Sequence, residues 1–265
     1  MAIPTILATD PLSTIAENLR PLGQGAVHFT RDHSPGIGLV VLDNPTRHNS
    51  FSGKMMAEFR DIVLHLEKDP DDLHTYSDLA FAKEYAGSQE AREAVNRLMH
   101  DTLSLFSRLP LITMASVSGP ALGGGTEFLT AFDFVCMNAS TFIRFVQTRR
   151  GFTSPWGGAR RLISRIGRKN TLLLLAGAPI ITAPIGQKIG LVDRVVETTD
   201  AEAYDACLSA AVEFMQPFVV GDNKHDRAPL SAVRGMKQLV VRADLDADLD
   251  YEMKIFAKAV GSPNL

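Results

Sequence analysis

Three consecutive glycines, Gly123 to Gly125, stand between an unbroken apolar run and a helix-like stretch in "LITMASVSGPALGGGTEFLTAF". Glycines cost backbone entropy and pack nothing, so such a row suits a sharp turn or a close approach to the backbone. "LITMASVSG" reads as a strand buried on both faces, which calls for helices on either side of a parallel sheet. A strand running into glycines and then a helix aims unpaired N–H groups, and the positive end of the helix dipole, at one point. That point suits an anion or a developing oxyanion. A tight strand-to-helix crossing would use the same glycines, and for the glycines alone it is the preferred reading. No G-x-G-x-x-G follows the strand and no Gly-Lys-Ser/Thr occurs, which argues against a nucleotide phosphate. Glu127, two residues behind the glycines, shifts the balance. A carboxylate beside an oxyanion hole can move protons at a carbon next to a carbonyl.

The rest of the chain supplies the scaffold. "TIAE" (14–17) has capping-box spacing and predicts the start of a short helix. "GAVHFTRD" and "GIGLVVLDNP" read as a hairpin. Residues 53–67 place Met55, Met56, Phe59, Ile62, Val63 and Leu66 on one helical stripe. A second long helix fits 88–108, with Val95, Leu98, Met99, Leu105 and Phe106 inward and Pro110 behind it. A helix through "TEFLTAF", a strand at "DFVCMN" and helices at 158–166 and 168–176 follow, the last closing on Gly177. Beyond residue 200 the pattern is wholly helical, with Thr199 and Glu202 at capping-box spacing. The order predicts an α/β core with a helical appendage.

Bulk properties narrow the function. With 265 residues, 45% of them hydrophobic, the chain can bury a large core in one domain or in one plus an appendage. A net charge of −3 and a pI near 6.2 give no basic footprint for nucleic acid. The longest apolar run, 171–185, is too short to span a bilayer and holds two prolines. Asp10 and Glu17 precede Arg20, a poor start for a targeting peptide, so a cytoplasmic protein is expected. Cys136 and Cys207, far apart in sequence, read as buried free thiols. His48 and His100 lack ligand spacing, and no metal is expected.

"SVSGPALGGGTEFLTAFDF" closely resembles the signature of the crotonase (enoyl-CoA hydratase/isomerase) superfamily. "LVVLDNPTRHNSFSGKMM", "SDLAFAK", "GFTSPWGGARRLISRIG" and "GQKIGLVDRVVE" follow the family's order across residues 38–197. The resemblance implies a spiral of ββα units over residues 1–197, with N-terminal helix and hairpin, and a helical trimerisation region over 198–265. It implies an acyl-CoA thioester as partner, a homotrimer or hexamer, and no cofactor beyond the coenzyme A of the substrate. The thioester carbonyl would meet two backbone N–H groups, one of them that of Gly124. Substrate contacts would come from Arg47, Ser50, Phe51, Ser77, Asp78, Leu79, Pro120, Gly123 and Gly124.

Within the family, "NPTRHNSFSGKMM", "TFIRFV" and "TSPWGG" look like ethylmalonyl-CoA decarboxylase and its relatives. Hydratases need two carboxylates. The first would be Glu127. The second lies four residues before the glycine matching Gly151, where this chain has Gln147, and no acidic residue occurs between Asp133 and Asp193. Decarboxylation of a short 2-alkylmalonyl-CoA fits better, since an oxyanion hole and a desolvated carboxylate are most of its catalyst. In that reading Gln147 hydrogen-bonds the carboxylate, and Glu127 positions it or returns a proton. The alternatives are an enoyl-CoA hydratase or isomerase using Glu127 alone, and a non-catalytic acyl-CoA-binding protein. Gln147 as a polar residue capping a strand is an equal alternative. Arg149 and Arg150 read as a solvated face more readily than as a phosphate grip, and Trp156 as packing behind the pocket.

One stretch departs from the pattern. The family's second oxyanion donor precedes "SDL" in a glycine-rich turn after a buried strand, but here "KDPDDLH" leads almost directly to Thr75 and Tyr76. Charge and proline there are unsuited to a buried strand. The expectation is a chain break in space, or a sheet one strand short with Thr75–Tyr76 displaced.

Overall fold

The computed structural model describes residues 6–34, 36–69, 74–78, 88–219 and 229–242, with the backbone alone for 32–34 and 74–78. In chain order the elements are α1 (Leu12–Leu19), β1 (Ala26–Ser34), β2 (Ile37–Asp43), α2 (Gly53–Lys68), β3 (His74–Asp78) and α3 (Gln89–Arg108). Next come β4 (Thr113–Val117), β5 (Ala121–Leu122), α4 (Gly124–Leu129), β6 (Phe134–Asn138), β7 (Phe142–Arg144) and α5 (Gly158–Gly177). β8 (Ile181–Thr182), α6 (Ala183–Lys188), β9 (Arg194–Val196), α7 (Ala203–Val219) and α8 (Leu230–Arg242) complete the set. Single 3-10 turns sit at Pro45–Arg47 and Thr148–Arg150.

The larger sheet runs β1-β2-β3-β4-β6-β9. Only the β1/β2 hairpin is antiparallel; the other pairings are parallel. A small β5-β7-β8 sheet stands apart from it. The α/β class read from the sequence is the one found. β4 is buried throughout, as its continuous apolar run requires. Its Ala115 and Val117 join the core that holds α2 and α3, while Met114 faces the α7 side with Ala211 and Met215. The predicted stripes of α2 and α3 are buried, except that Ile62 and Leu105 are only partly covered.

The missing-strand expectation is overturned. β3 lies mid-sheet, with Ile37 opposite His74 on one side and Thr75 opposite Thr113 on the other. The strand is not made from the charged residues before His74. It uses His74–Asp78, whose threonine and tyrosine suit a pleated, flanked position better than the turn assigned to them. Ser77 and Asp78 therefore lie within a strand rather than after one, and Leu79 lies outside the described residues.

Both capping boxes are also corrected. α1 starts behind Pro11, with Thr14 already inside the helix, because Leu12, Ile15, Ala16 and Leu19 set its apolar phase. Before α7, the Thr199 hydroxyl donates to the Glu202 carboxylate at 3.0 Å instead of accepting from backbone. Cys136 and Cys207 are buried thiols not joined in a disulfide, on β6 and α7. Hydrogen bonding between these thiols, then burial, pushes the Cys136 pKa up, so that thiol stays protonated and inert. An ion pair from Lys237 to Asp133 ties α8 to the sheet, where Asp133 also accepts from the Thr113 N–H at 2.8 Å.

Candidate active site

A cavity of about 580 Å³ opens beside the glycines, bounded by α3 on one wall and by Leu122–Gly124, Glu127 and 146–156 on the other. Phe51, Met56, Val95 and Trp156 make much of it apolar. Only Gly123 precedes the helix, with φ 59° and ψ −122°, a conformation that a side chain would strain. Gly124 and Gly125 open the first turn of α4, two residues earlier than "TEFLTAF" suggested.

The Gly123 carbonyl accepts from the Thr126 N–H at 3.1 Å, the Glu127 N–H at 3.4 Å and the Thr126 hydroxyl at 2.5 Å. Gln147 adds a fourth donor, Nε2 at 3.0 Å. A trans peptide points its N–H opposite its C=O, so pulling the Gly123 carbonyl into α4 turns the Gly124 N–H outward. Gly124 lines the cavity there.

Glu127 is 1% exposed. Its Oε2 accepts from the Trp156 N–H at 2.8 Å and the Gly158 N–H at 3.4 Å, while Oε1 lies 3.5 Å from Gln147 Nε2. Burial raises its pKa, opposed by the Ser154 hydroxyl, by those two N–H groups and by the Arg161 charge. Arg161 is itself pushed down to about 10 by burial, against the attraction of Glu127. Its guanidinium donates to the Trp156 carbonyl at 2.7 Å and the Thr130 hydroxyl at 3.0 Å. The result is a carboxyl group biased toward its neutral form and locked on one oxygen.

Gln147 is 2% exposed, and its Oε1 is buried without a partner among the described residues. The expected N–H to a substrate carboxylate is not available in this arrangement, because Nε2 faces Gly123 and Glu127. Phe51, Gly123, Gly124, Glu127 and Gln147 meet at the cavity. Arg47, Ser50 and Pro120 are not among its described lining residues. Arg47 is exposed in a turn, where its carbonyl accepts from the Ser50 hydroxyl at 2.6 Å. Arg149 donates to the Gly177 carbonyl at 2.9 Å, whereas Arg150 lines the cavity. Trp156 is both packing and wall: Nε1 donates to Asn96 at 3.1 Å and the ring meets Phe51 edge-on.

Arg161 and the N–H groups of Trp156 and Gly158 escaped the sequence reading. The paired glycines of "PWGGAR" were the available signal. A Cβ on Gly158 would stand 3.2 Å from Glu127 Oε2 and 2.9 Å from the Ser154 hydroxyl. Among the described residues, no group of three or more His, Cys, Asp and Glu could hold a metal ion, and no helix is long and apolar enough to cross a membrane.

The pattern of the enoyl-CoA hydratase/isomerase family matches residues 32–258. Ethylmalonyl-CoA decarboxylase of Bos taurus is 34% identical over 247 residues, covering 89% of this chain and 79% of the relative. That of Danio rerio is 33% identical over 264 residues, covering 94% and 84%. Among solved structures, enoyl-CoA hydratase from Bacillus anthracis superposes with a TM-score of 0.74 at 20% identity, covering 89% of this chain and 92% of that one. An enoyl-CoA hydratase from Polaromonas sp. JS666 gives 0.74 at 19%, covering 91% and 93%. At such identities the structural likeness speaks for the fold.

Proposed function

Because the chain belongs to the enoyl-CoA hydratase/isomerase family of acyl-CoA-processing enzymes, we propose that it decarboxylates a short 2-alkylmalonyl-CoA such as ethylmalonyl-CoA. The observation that carries this reading is a buried, neutral-leaning Glu127 facing the amide of Gln147 where hydration would need a second carboxylate. Among the described residues, the other carboxylate at the cavity is Glu93, which is exposed on α3.

The chemistry follows from the walls. The apolar side of the cavity strips water from the leaving carboxylate, which favours its loss. The bond between the α-carbon and the carboxylate breaks, carbon dioxide departs, and the electron pair moves into a thioester enolate. The Gly124 N–H faces the enolate oxygen. Glu127 then gives its proton to the α-carbon and is reprotonated from solvent. With one preparation of the enzyme, mass spectrometry is expected to show carbon dioxide loss from ethylmalonyl-CoA well ahead of water addition to crotonyl-CoA. Dominant hydration would overturn the reading.

The homotrimer or hexamer belongs to the same proposal. Leu172, Leu173, Ile180 and Ile185 are each about half exposed or more, within the stretch from the end of α5 to the start of α6. Exposed apolar side chains gathered in this way mark association surfaces. Leu172→Glu with Leu173→Glu is expected to lower the mass seen by sedimentation velocity, and an unchanged mass would remove this face from the interface.

A further inference from the structure

We propose that Gln147 is a positioning residue, which pins the Gly123 carbonyl and so aims the Gly124 N–H at the thioester oxygen. The inference rests on the acyl-CoA reading of the cavity, though not on decarboxylation. The Gly123–Gly124 peptide is a rigid plane, so whatever fixes its oxygen also fixes its N–H. Among the described residues, three of the four donors to that oxygen come from Thr126 and Glu127 of α4 itself. Gln147 Nε2, at 3.0 Å, is the donor from outside the helix. A donor at the carbonyl also polarises the peptide and strengthens the N–H as a hydrogen-bond donor.

The amide cannot serve the other way round. Turning it over would set two carbonyl oxygens 3.0 Å apart, at Gly123 and Gln147. In the orientation observed, the oxygen left without a partner is Oε1, an acceptor, which is unsuited to a substrate carboxylate. Gln147 therefore acts through the peptide rather than on the leaving group.

The end of α5 holds Gln147 in turn. The Thr148 hydroxyl donates to the Leu175 carbonyl at 3.1 Å, and Arg149 to the Gly177 carbonyl at 2.9 Å. Arg144 reaches the Ala178 carbonyl at 2.9 Å. The last carbonyls of a helix have no partner within it, so they are free to anchor a neighbouring turn. α5 is broken at Gly167, where φ is 75° and ψ is 162°. Its first arm, with Gly158 and Arg161, secures Glu127; its second secures Gln147. Thr148 and Arg149 are thus positioning residues as well.

The test uses butyryl-CoA labelled with carbon-13 at the thioester carbonyl and infrared difference spectroscopy. Binding to the native enzyme is expected to lower the carbonyl stretch, as a hydrogen bond to that oxygen must. Gln147→Met should lose more than half of the downshift while still binding butyryl-CoA, and turnover should suffer through kcat more than KM. Arg149→Ala and Thr148→Val should lose less of it, and Arg149→Lys, which keeps a donor, should recover. In the Gln147→Met background, Arg149→Ala should add nothing, since both act through one contact. A full downshift in Gln147→Met, or none in the native enzyme, would overturn the proposal. Additive losses would overturn the part assigned to α5. Loss of the downshift as expected, without carbon dioxide release from ethylmalonyl-CoA, would count against decarboxylation alone.

Discussion

Glu127→Gln is expected to lower turnover of the acyl-CoA substrate by about a hundredfold or more, the usual effect of removing a general acid. Glutamine can still accept from the Trp156 and Gly158 N–H groups that bind Oε2, so the loss would come from the proton and not from the frame. As a donor Glu127 must be neutral. Burial raises its pKa from 4.5, so native turnover is expected to persist on the acid side and fall as pH rises through the raised value. That limb should vanish from the residual activity of the variant. Stability follows the same linkage. Above 4.5 the folded state holds a proton that the unfolded chain has released, so stability falls as pH rises through the window up to the folded pKa. The difference in thermal midpoint, variant minus native, should therefore grow with pH across that window. Full activity in the variant would make Glu127 a structural residue.

The fold was legible wherever apolar periodicity decided it. α2 and α3 bury the stripes their spacing implied, and β4 is covered on both faces as its unbroken run required. Local signals misled where packing overrode them. The Thr14–Glu17 spacing is real, yet α1 takes its phase from Leu12, Ile15 and Leu19 and starts earlier. β3 is hidden in the sequence because charge and proline crowd the stretch where a strand is expected, and the strand lies after them. Partnering by β2 and β4 makes a strand of five residues that look unremarkable alone.

The site was half legible. Glycines and a carboxylate at close spacing named Gly123, Gly124 and Glu127, since their relation is local to one helix start. Gln147 stands out in the sequence only as a departure from a hydratase pattern, which does not say where its N–H points. No sequence spacing reveals that its N–H meets a carbonyl 24 residues earlier. Arg161 and the Trp156 N–H act across about thirty residues of chain, through bonds to Glu127 and its surroundings. Such contacts are set by the return of the chain through β6, β7 and the turn before α5, which composition does not encode.

Gly124→Pro is expected to cost about a hundred- to thousandfold in kcat, the scale for removing one oxyanion-hole donor. Proline is well suited to this test. Gly124 is the first residue of α4, where proline's fixed φ fits and its missing N–H breaks no bond within the helix. A proline disfavours the right-handed helical region for the residue before it, and Gly123, with φ 59° and ψ −122°, lies outside that region. The carbonyl of Gly123, with its donors from Thr126, Glu127 and Gln147, is untouched by the change. What disappears is the hydrogen that faces the enolate oxygen. Negative charge grows on that oxygen as the carboxylate leaves, so the contact strengthens toward the transition state and its loss falls on kcat. Circular dichroism and the thermal midpoint should stay close to native. Calorimetry with butyryl-CoA should show weaker binding, because the ground-state thioester also accepts from this N–H. If kcat and affinity both survive the substitution, the thioester oxygen lies elsewhere, and Gly123 to Gly125 serve only the crossing from strand to helix.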